Sequence, residues 1–164
     1  MITDISLIVT AIGVLGAMFS LRQSYRERLR QFEANYVERY WKLLDELSLD
    51  ALRTADPAEI SPGDEKAIRS YFYLCEDELE MRANGYISDN TYNTWADGMI
   101  EQLDQPMFAK VWSRVNHEAR SGTNFPFANL SNLLKQKGPG SRYDPLSMPF
   151  LIKIVRGLKG IDSV

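Results

Sequence analysis

The stretch YFYLCEDELEMRANG, residues 71–85, combines helical spacing of apolar side chains with a well-marked stop. Gly85 suits the left-handed backbone conformation that often follows the last residue of a helix. At about 100° per residue, one arc of the helix collects the apolar side chains. These are Ile68, Tyr71, Phe72, Cys75 and Leu79. The stretch therefore predicts the C-terminal part of an amphipathic helix.

Comparable signals on both sides predict that the whole chain is helical. Ser61 is placed as the N-cap of the same helix, with Pro62 at its first position. Ser88 is placed as the N-cap of the next helix, so residues 62–103 are predicted to form a helical hairpin. Pro106 opens a fourth helix, and shorter apolar periodicities predict two more, after residue 126 and after residue 148. No alternating strand pattern of useful length is present, which makes the fold class all-α.

The composition is that of a folded protein, and it argues against some kinds of binding and cross-linking. Apolar residues make up 45% of the chain and aromatic residues 11%, which is enough for a packed core. The net charge of −3 argues against nonspecific nucleic-acid binding, because such binding needs a dominant basic surface. The single cysteine cannot form an intramolecular disulfide, which fits a reducing cytosol.

The N-terminal segment is a long apolar run. Residues 5–21, ISLIVTAIGVLGAMFSL, contain no charged side chain. As a helix they would reach about 25 Å, the short end of a bilayer span. A cleaved signal peptide needs a basic start and a small-x-small cleavage site, whereas this chain begins Met-Ile-Thr-Asp and continues into Arg22 directly after the run. The sequence favours a membrane anchor over a cleaved signal or a buried core helix.

The charges next to this run predict its orientation. Four arginines crowd just beyond it: Arg22, Arg26, Arg28 and Arg30. Under the positive-inside rule they place the main domain in the bacterial cytoplasm and the N-terminus outside. Anionic lipid head groups would attract each of them by about 1 kcal/mol. Gly13 and Ala17 form a small-xxx-small pair through which two spans could touch.

Beyond the arginines the first helix is expected to continue, since no glycine interrupts residues 17–56 and no proline does either. Apolar side chains fall on one side of it, namely Phe32, Tyr36, Tyr40, Leu43, Leu44 and Leu47. They predict a core-facing stripe, with a partner-binding coiled coil as the alternative. Three units follow from this organisation: an anchor and basic segment over 1–30, a cytosolic helical bundle over 31–120, and a C-terminal extension with short helices over 121–164.

Four carboxylates follow the cysteine within the opening stretch. Glu78 lies four residues before Arg82, a favourable pair on an exposed helix surface. The other three, Glu76, Asp77 and Glu80, are predicted to lie mostly on a solvated rim. A contact between these three residues and a basic partner surface is the alternative.

The counts of reactive side chains exclude the familiar kinds of site. One histidine and one cysteine cannot build a zinc site, and a di-metal carboxylate bundle needs Glu-x-x-His pairs on two helices. Cys75 is central in the apolar arc, where burial raises the pKa of a thiol, and His117 falls opposite the stripe of the fourth helix. Neither a Walker A loop nor a dinucleotide fingerprint is present. We therefore expect no catalytic residue, no metal ligand and no cofactor, and an enzyme is disfavoured.

The end of the chain predicts a second contact, either with the membrane or with the bundle. Within residues 149–160 the apolar side chains cover one side of a helical wheel, and Lys153, Arg156 and Lys159 occupy the other. A basic amphipathic helix of this kind can lie in the bilayer interface. In the alternative, the apolar side covers the end of the bundle.

Residues of the second to fourth helices carry a resemblance to known proteins. The positions are the run YFxLCExE from Tyr71 to Glu78, GxIS from Gly85 to Ser88, and Trp95, Gly98, Phe108 and Trp112. They are similar to those of a family of small uncharacterised bacterial proteins. The similarity covers roughly residues 5–120 and implies an N-terminal membrane segment with a cytosolic helical domain. It implies no activity.

Taken together, these features predict a non-catalytic module or accessory subunit that is tethered to the membrane and holds a protein partner, or a second copy, at its inner surface. The alternative is a membrane-acting effector, such as a small toxin or a stress or phage-defence component, that assembles through its span. An enzyme is the third interpretation.

Overall fold

The computed structural model covers most of the chain. It describes residues 2–49, 51, 59–120, 125–137 and 142–146, and for residues 2–11 and 120 it describes the backbone alone. Five α-helices lie in these ranges: α1 (Ile2–Asp45), α2 (Pro62–Ala83), α3 (Asp89–Leu103), α4 (Pro106–Arg120) and α5 (Ala128–Lys135). No residue of the described ranges lies in a β-strand, so the all-α prediction is confirmed. The predicted last helix, with Lys153, Arg156 and Lys159, lies outside the described residues.

The ends of the helical hairpin follow the local sequence signals. The side-chain hydroxyls of Ser61 and Ser88 each accept a hydrogen bond from the backbone N–H three residues later, at 3.0 and 3.1 Å. Gly85 has a φ of 80°, and the N–H of Tyr86 donates back to the carbonyl of Met81 at 3.0 Å. These bonds satisfy backbone groups that a helix end otherwise leaves without partners. They fix where α2 ends and where α3 begins.

The core lies where α2 contacts α4 and α5 and where α3 closes over them. Phe72 and Phe108 are fully buried, and the Trp112 ring lies edge-on to Phe72 with centroids 5.2 Å apart. Leu130 and Leu133 of α5 are also fully buried in this core. Helix α5 falls within the predicted C-terminal extension, yet it shares one hydrophobic core with the bundle.

Helix α1 packs against the bundle along its second half. Tyr36 is buried, and Phe32, Tyr40 and Leu43 are partly buried against the core. The predicted core-facing stripe is therefore confirmed for these residues. Earlier in the helix, every described side chain of residues 12–24 is exposed.

The structure does not support the predicted membrane span over residues 5–21. Within the described part of the chain, no helix is both long enough and apolar enough to cross a membrane. Residues 5–11 of the predicted span belong to the part of α1 that is described by its backbone alone.

Candidate functional site

The acidic residues that follow Cys75 lie in different environments. The Glu76 carboxylate accepts hydrogen bonds from the backbone N–H groups of Asn129 and Leu130, each at 2.9 Å. These groups belong to the first turn of α5, which has no side-chain cap of its own at Phe127. The solvated rim predicted for Glu76 is therefore wrong, because its carboxylate caps a helix of the same chain.

Asp77 and Glu80 do lie at the surface, as predicted. Asp77 pairs with Arg39 of α1 at 3.3 Å, and both side chains are about half exposed. An exposed pair of this kind contributes at most about 1 kcal/mol. Glu80 is exposed. Cys75 is fully buried and free, and burial raises the pKa of its thiol well above the usual range, as the helical phase predicted.

Glu78 is the acidic residue whose position differs most from its prediction. Only 8% of Glu78 is exposed, and only 3% of Arg82. Arg82 pairs with Asp144 and Asp89, each at 2.6 Å, instead of with Glu78. The predicted surface pair of Glu78 and Arg82 is therefore wrong. The pair does not form at the surface because α1 packs along the side of α2 that lies next to the apolar arc.

Burial dominates the electrostatics of Glu78. Removal from water raises the pKa of its carboxyl to about 8, while Arg39 acts to lower it and Asp77 to raise it. Among the described residues, none makes a hydrogen bond or an ion pair with this carboxyl. Glu78 is thus a buried acid that is largely protonated at neutral pH and has no fixed polar partner.

The Glu78 side chain lines a pocket of about 270 Å³ between α1, α2 and α3. Aromatic side chains from all three helices form much of its wall. The lining residues include Tyr40, Trp41, Tyr71, Glu78, Trp95 and Gly98. The rings of Tyr40 and Trp41 meet at 68° with centroids 5.4 Å apart, so they form an angled wall instead of a stack. We refer to this space as the aromatic pocket.

Gly98 keeps the α3 side of the aromatic pocket open. A glycine inside a helix costs about 1 kcal/mol relative to alanine unless close packing requires it. A Cβ atom added at Gly98 would meet no atom within 4 Å. Neighbouring backbone therefore does not explain this glycine, and its consequence is an unobstructed wall.

The predicted contacts on α1 precede the part of this helix that lines the aromatic pocket. A Cβ atom at Gly13 would meet nothing within 4 Å, and Ala17 is exposed. The four predicted membrane-facing arginines are exposed, apart from the half-buried Arg26. The structure brings neither group to Glu78.

Metal ligation has no obvious place in the described ranges. No group of three histidine, cysteine, aspartate or glutamate side chains lies there in an arrangement that could hold a metal ion. His117 is exposed on α4. The arrangement that stands out chemically is the buried carboxyl of Glu78 among aromatic rings.

Comparison with known proteins identifies no relative of this chain. No family model matches the chain, and neither a curated protein nor a solved structure matches it significantly. The resemblance to small bacterial membrane-anchored proteins stays a prediction.

Proposed function

We propose that this protein is a non-catalytic helical interaction module, tethered to the bacterial cytoplasmic membrane by the start of α1, whose bundle binds a protein partner or a second copy. The main domain would lie on the cytoplasmic side.

One observation carries this proposal: the first part of α1 exposes large apolar side chains. They are between 54% and 71% exposed, and they comprise Ile12, Val14, Leu15, Met18, Phe19 and Leu21. Each would gain about 1.5–3 kcal/mol by leaving water. Helix α1 has no charged side chain anywhere in residues 5–21, so it offers water no polar side there. A helix that is apolar all round belongs in a protein interior or in lipid.

The basic residues after this segment favour lipid over a protein interior. Arg22, Arg28 and Arg30 are exposed on the next turns of the helix. Anionic head groups attract such residues at the cytoplasmic surface. Because α1 continues without a break to Asp45, the bundle would stand off the membrane by the length of the helix between Leu21 and Tyr36, about 22 Å.

The test uses the full chain in intact bacterial cells. Two variants with one added cysteine each are compared, Ile2→Cys and Glu101→Cys. The buried Cys75, present in both, serves as the internal control for a protected thiol. A membrane-impermeant maleimide should label Ile2→Cys from outside and should label Glu101→Cys after permeabilisation alone. Equal labelling of both positions, or recovery of the full chain without membranes, would contradict the tether.

The interaction is tested separately by chemical crosslinking in the same cells. A specific crosslinked species that survives Gly13→Leu supports an interaction through the bundle. If expression collapses the membrane potential and Gly13→Leu prevents the collapse, the protein is instead an effector that assembles through the segment containing Gly13.

A further inference from the structure

We propose that the aromatic pocket binds a small organic cation with N–H donors, an alkylammonium or alkylguanidinium compound, held by the Glu78 carboxylate and the surrounding aromatic rings. This site goes beyond the proposed tether and does not depend on it, because the pocket is formed by the bundle and the second half of α1.

The Glu78 carboxyl has no polar partner within the described part of the chain. A buried carboxyl is normally paired or hydrogen-bonded, since burial without a partner is unfavourable. Glu78 is 92% buried and has neither kind of partner in the described part of the chain, and its carboxyl oxygens are not among the fully enclosed atoms that lack a hydrogen bond, so they keep access to the pocket. The nearest cation, Arg39, is engaged elsewhere: it pairs with Asp77 at 3.3 Å and lies 5.1 Å from the centre of the Tyr36 ring. The position opposite Glu78 is therefore left for a cation from outside.

The aromatic lining of the pocket favours a positively charged ligand. Rings attract cations through the negative potential of their faces, most strongly in tryptophan. Trp41, Trp95, Tyr40 and Tyr71 all line the pocket that contains Glu78. An apolar ligand would leave the carboxyl without a partner, and an inorganic cation would gain little from the rings. An organic cation satisfies both features.

The Glu78 carboxyl favours a cation that carries N–H donors. A carboxylate that receives no hydrogen bond from its own protein needs donors from the ligand, and charge-assisted hydrogen bonds are the strong ones. Ammonium and guanidinium groups supply N–H donors, whereas a quaternary ammonium supplies none. The volume of about 270 Å³ lies just below the range typical of drug-sized ligands, so the ligand is small.

Gly98 leaves one position on the α3 side of the aromatic pocket without a side chain. This glycine lies in the interior of α3, where alanine would be more stable, and no neighbouring atom approaches within 4 Å of the missing Cβ. Gly98 lines the aromatic pocket and is exposed, so the α3 wall of the pocket carries no side chain at this position.

The binding experiment uses the full-length protein in non-ionic maltoside micelles at pH 9, above the pKa of about 8 at which Glu78 ionises, and n-butylguanidinium as the probe. Isothermal titration is combined with tryptophan fluorescence in a Trp112→Phe background, so that the signal comes from Trp41 and Trp95. N-butylurea is the matched neutral compound, because it has the same shape without the charge. Saturable one-site binding is expected for butylguanidinium, and none for butylurea.

Matched variants locate the site. Glu78→Gln should weaken binding about 10-fold to 100-fold, the usual effect of losing a hydrogen bond to a charged group. Glu80→Gln removes the same charge from the exposed side of α2 and should leave the affinity unchanged. Gly98→Leu should abolish binding while the thermal midpoint stays at or above that of the wild type, which separates blocking from unfolding.

Several results would overturn the proposal. Equal binding of butylguanidinium and butylurea would remove the role of charge, and equal effects of Glu78→Gln and Glu80→Gln would remove the role of the buried acid. Butyltrimethylammonium binding as tightly as butylguanidinium would remove the need for N–H donors. Tighter binding of arginine capped at both ends would assign the pocket to a protein side chain instead of a small molecule. The absence of saturable binding would end the proposal.

Discussion

Replacing Glu78 with glutamine should stabilise the protein at alkaline pH and change its stability little at acid pH. The folded protein holds the Glu78 proton up to a pKa of about 8, while the ordinary value for an unfolded chain is 4.5. Between these two values the folded state binds more protons than the unfolded state. The contribution of Glu78 to the free energy of unfolding should therefore be highest below pH 4.5, fall as the pH rises to about 8, and level off above it.

The magnitude follows from the same two values. The difference between about 8 and 4.5, at about 1.36 kcal/mol per pH unit, gives roughly 5 kcal/mol as an upper bound. Glutamine keeps the shape and polarity of the protonated acid but cannot ionise. The variant should thus match the wild type near pH 5 and exceed its free energy of unfolding by roughly 2–4 kcal/mol at pH 9, after allowance for local relaxation.

The groups around Glu78 do not obscure this effect. Its charged neighbours are Arg39 on α1 and Asp77 on α2, and their effects on Glu78 are already contained in its pKa of about 8. No charged residue of α3 lines the aromatic pocket. Burial raises the pKa of Tyr40 above the usual 10, and that of Tyr71 and Cys75 well above their usual values, so none of these three ionises between pH 5 and 9.

The measurement is urea unfolding of the full chain in micelles, followed by far-UV circular dichroism at intervals from pH 5 to 9. Glu80→Gln is the control, because an exposed carboxyl on the same helix should give a difference from the wild type that is flat with pH. A flat difference for Glu78→Gln as well would refute the reasoning, since Glu78 would then not be a buried acid.

Three further substitutions test other features of the bundle by the change in free energy of unfolding. Gly98→Ala should stabilise the folded protein by about 0.5–1 kcal/mol, because the added methyl group meets no atom within 4 Å. A destabilised variant would mean that another atom lies close to this position. Glu76→Ala should cost about 2–3 kcal/mol, because two N–H groups of α5 lose their acceptor, whereas Glu80→Ala should change stability by less than about 0.5 kcal/mol. Arg82→Met should cost about 3 kcal/mol, because it leaves Asp144 without its cation in a partly buried position; equal stability would mean that this pair is solvated.

The helices and their ends were accessible from the sequence because they depend on neighbouring residues. Ser61 and Ser88 cap α2 and α3 through bonds to groups three residues away. Gly85 adopts the left-handed conformation readily because it has no side chain. Such features need no knowledge of the tertiary fold, and the predicted all-α class followed from them.

The aromatic pocket was missed because α2 is buried on more than one side. The predicted arc around Cys75 faces the core, but α1 covers an adjacent side, which includes Glu78. A signal was present: Tyr71 and Glu78 are two helical turns apart and therefore share a side. Recognising it would have required knowing that aromatic residues of α1 come to that side. The partner of Arg82, Asp144, lies 62 residues away and has no local signature.

Two residues that lower the stability of the folded protein line the aromatic pocket. Their presence in one place is the main reason to regard the pocket as functional. A buried acid without a partner at Glu78 and a helix-interior glycine at Gly98 each lower stability, and either could be removed by one substitution. Local rules that fail together at one place are typical of functional sites. A ligand present at a hundred times its Kd stabilises the folded state by about 2.7 kcal/mol. This gain is of the same order as the cost of the two features, so a bound ligand would offset it.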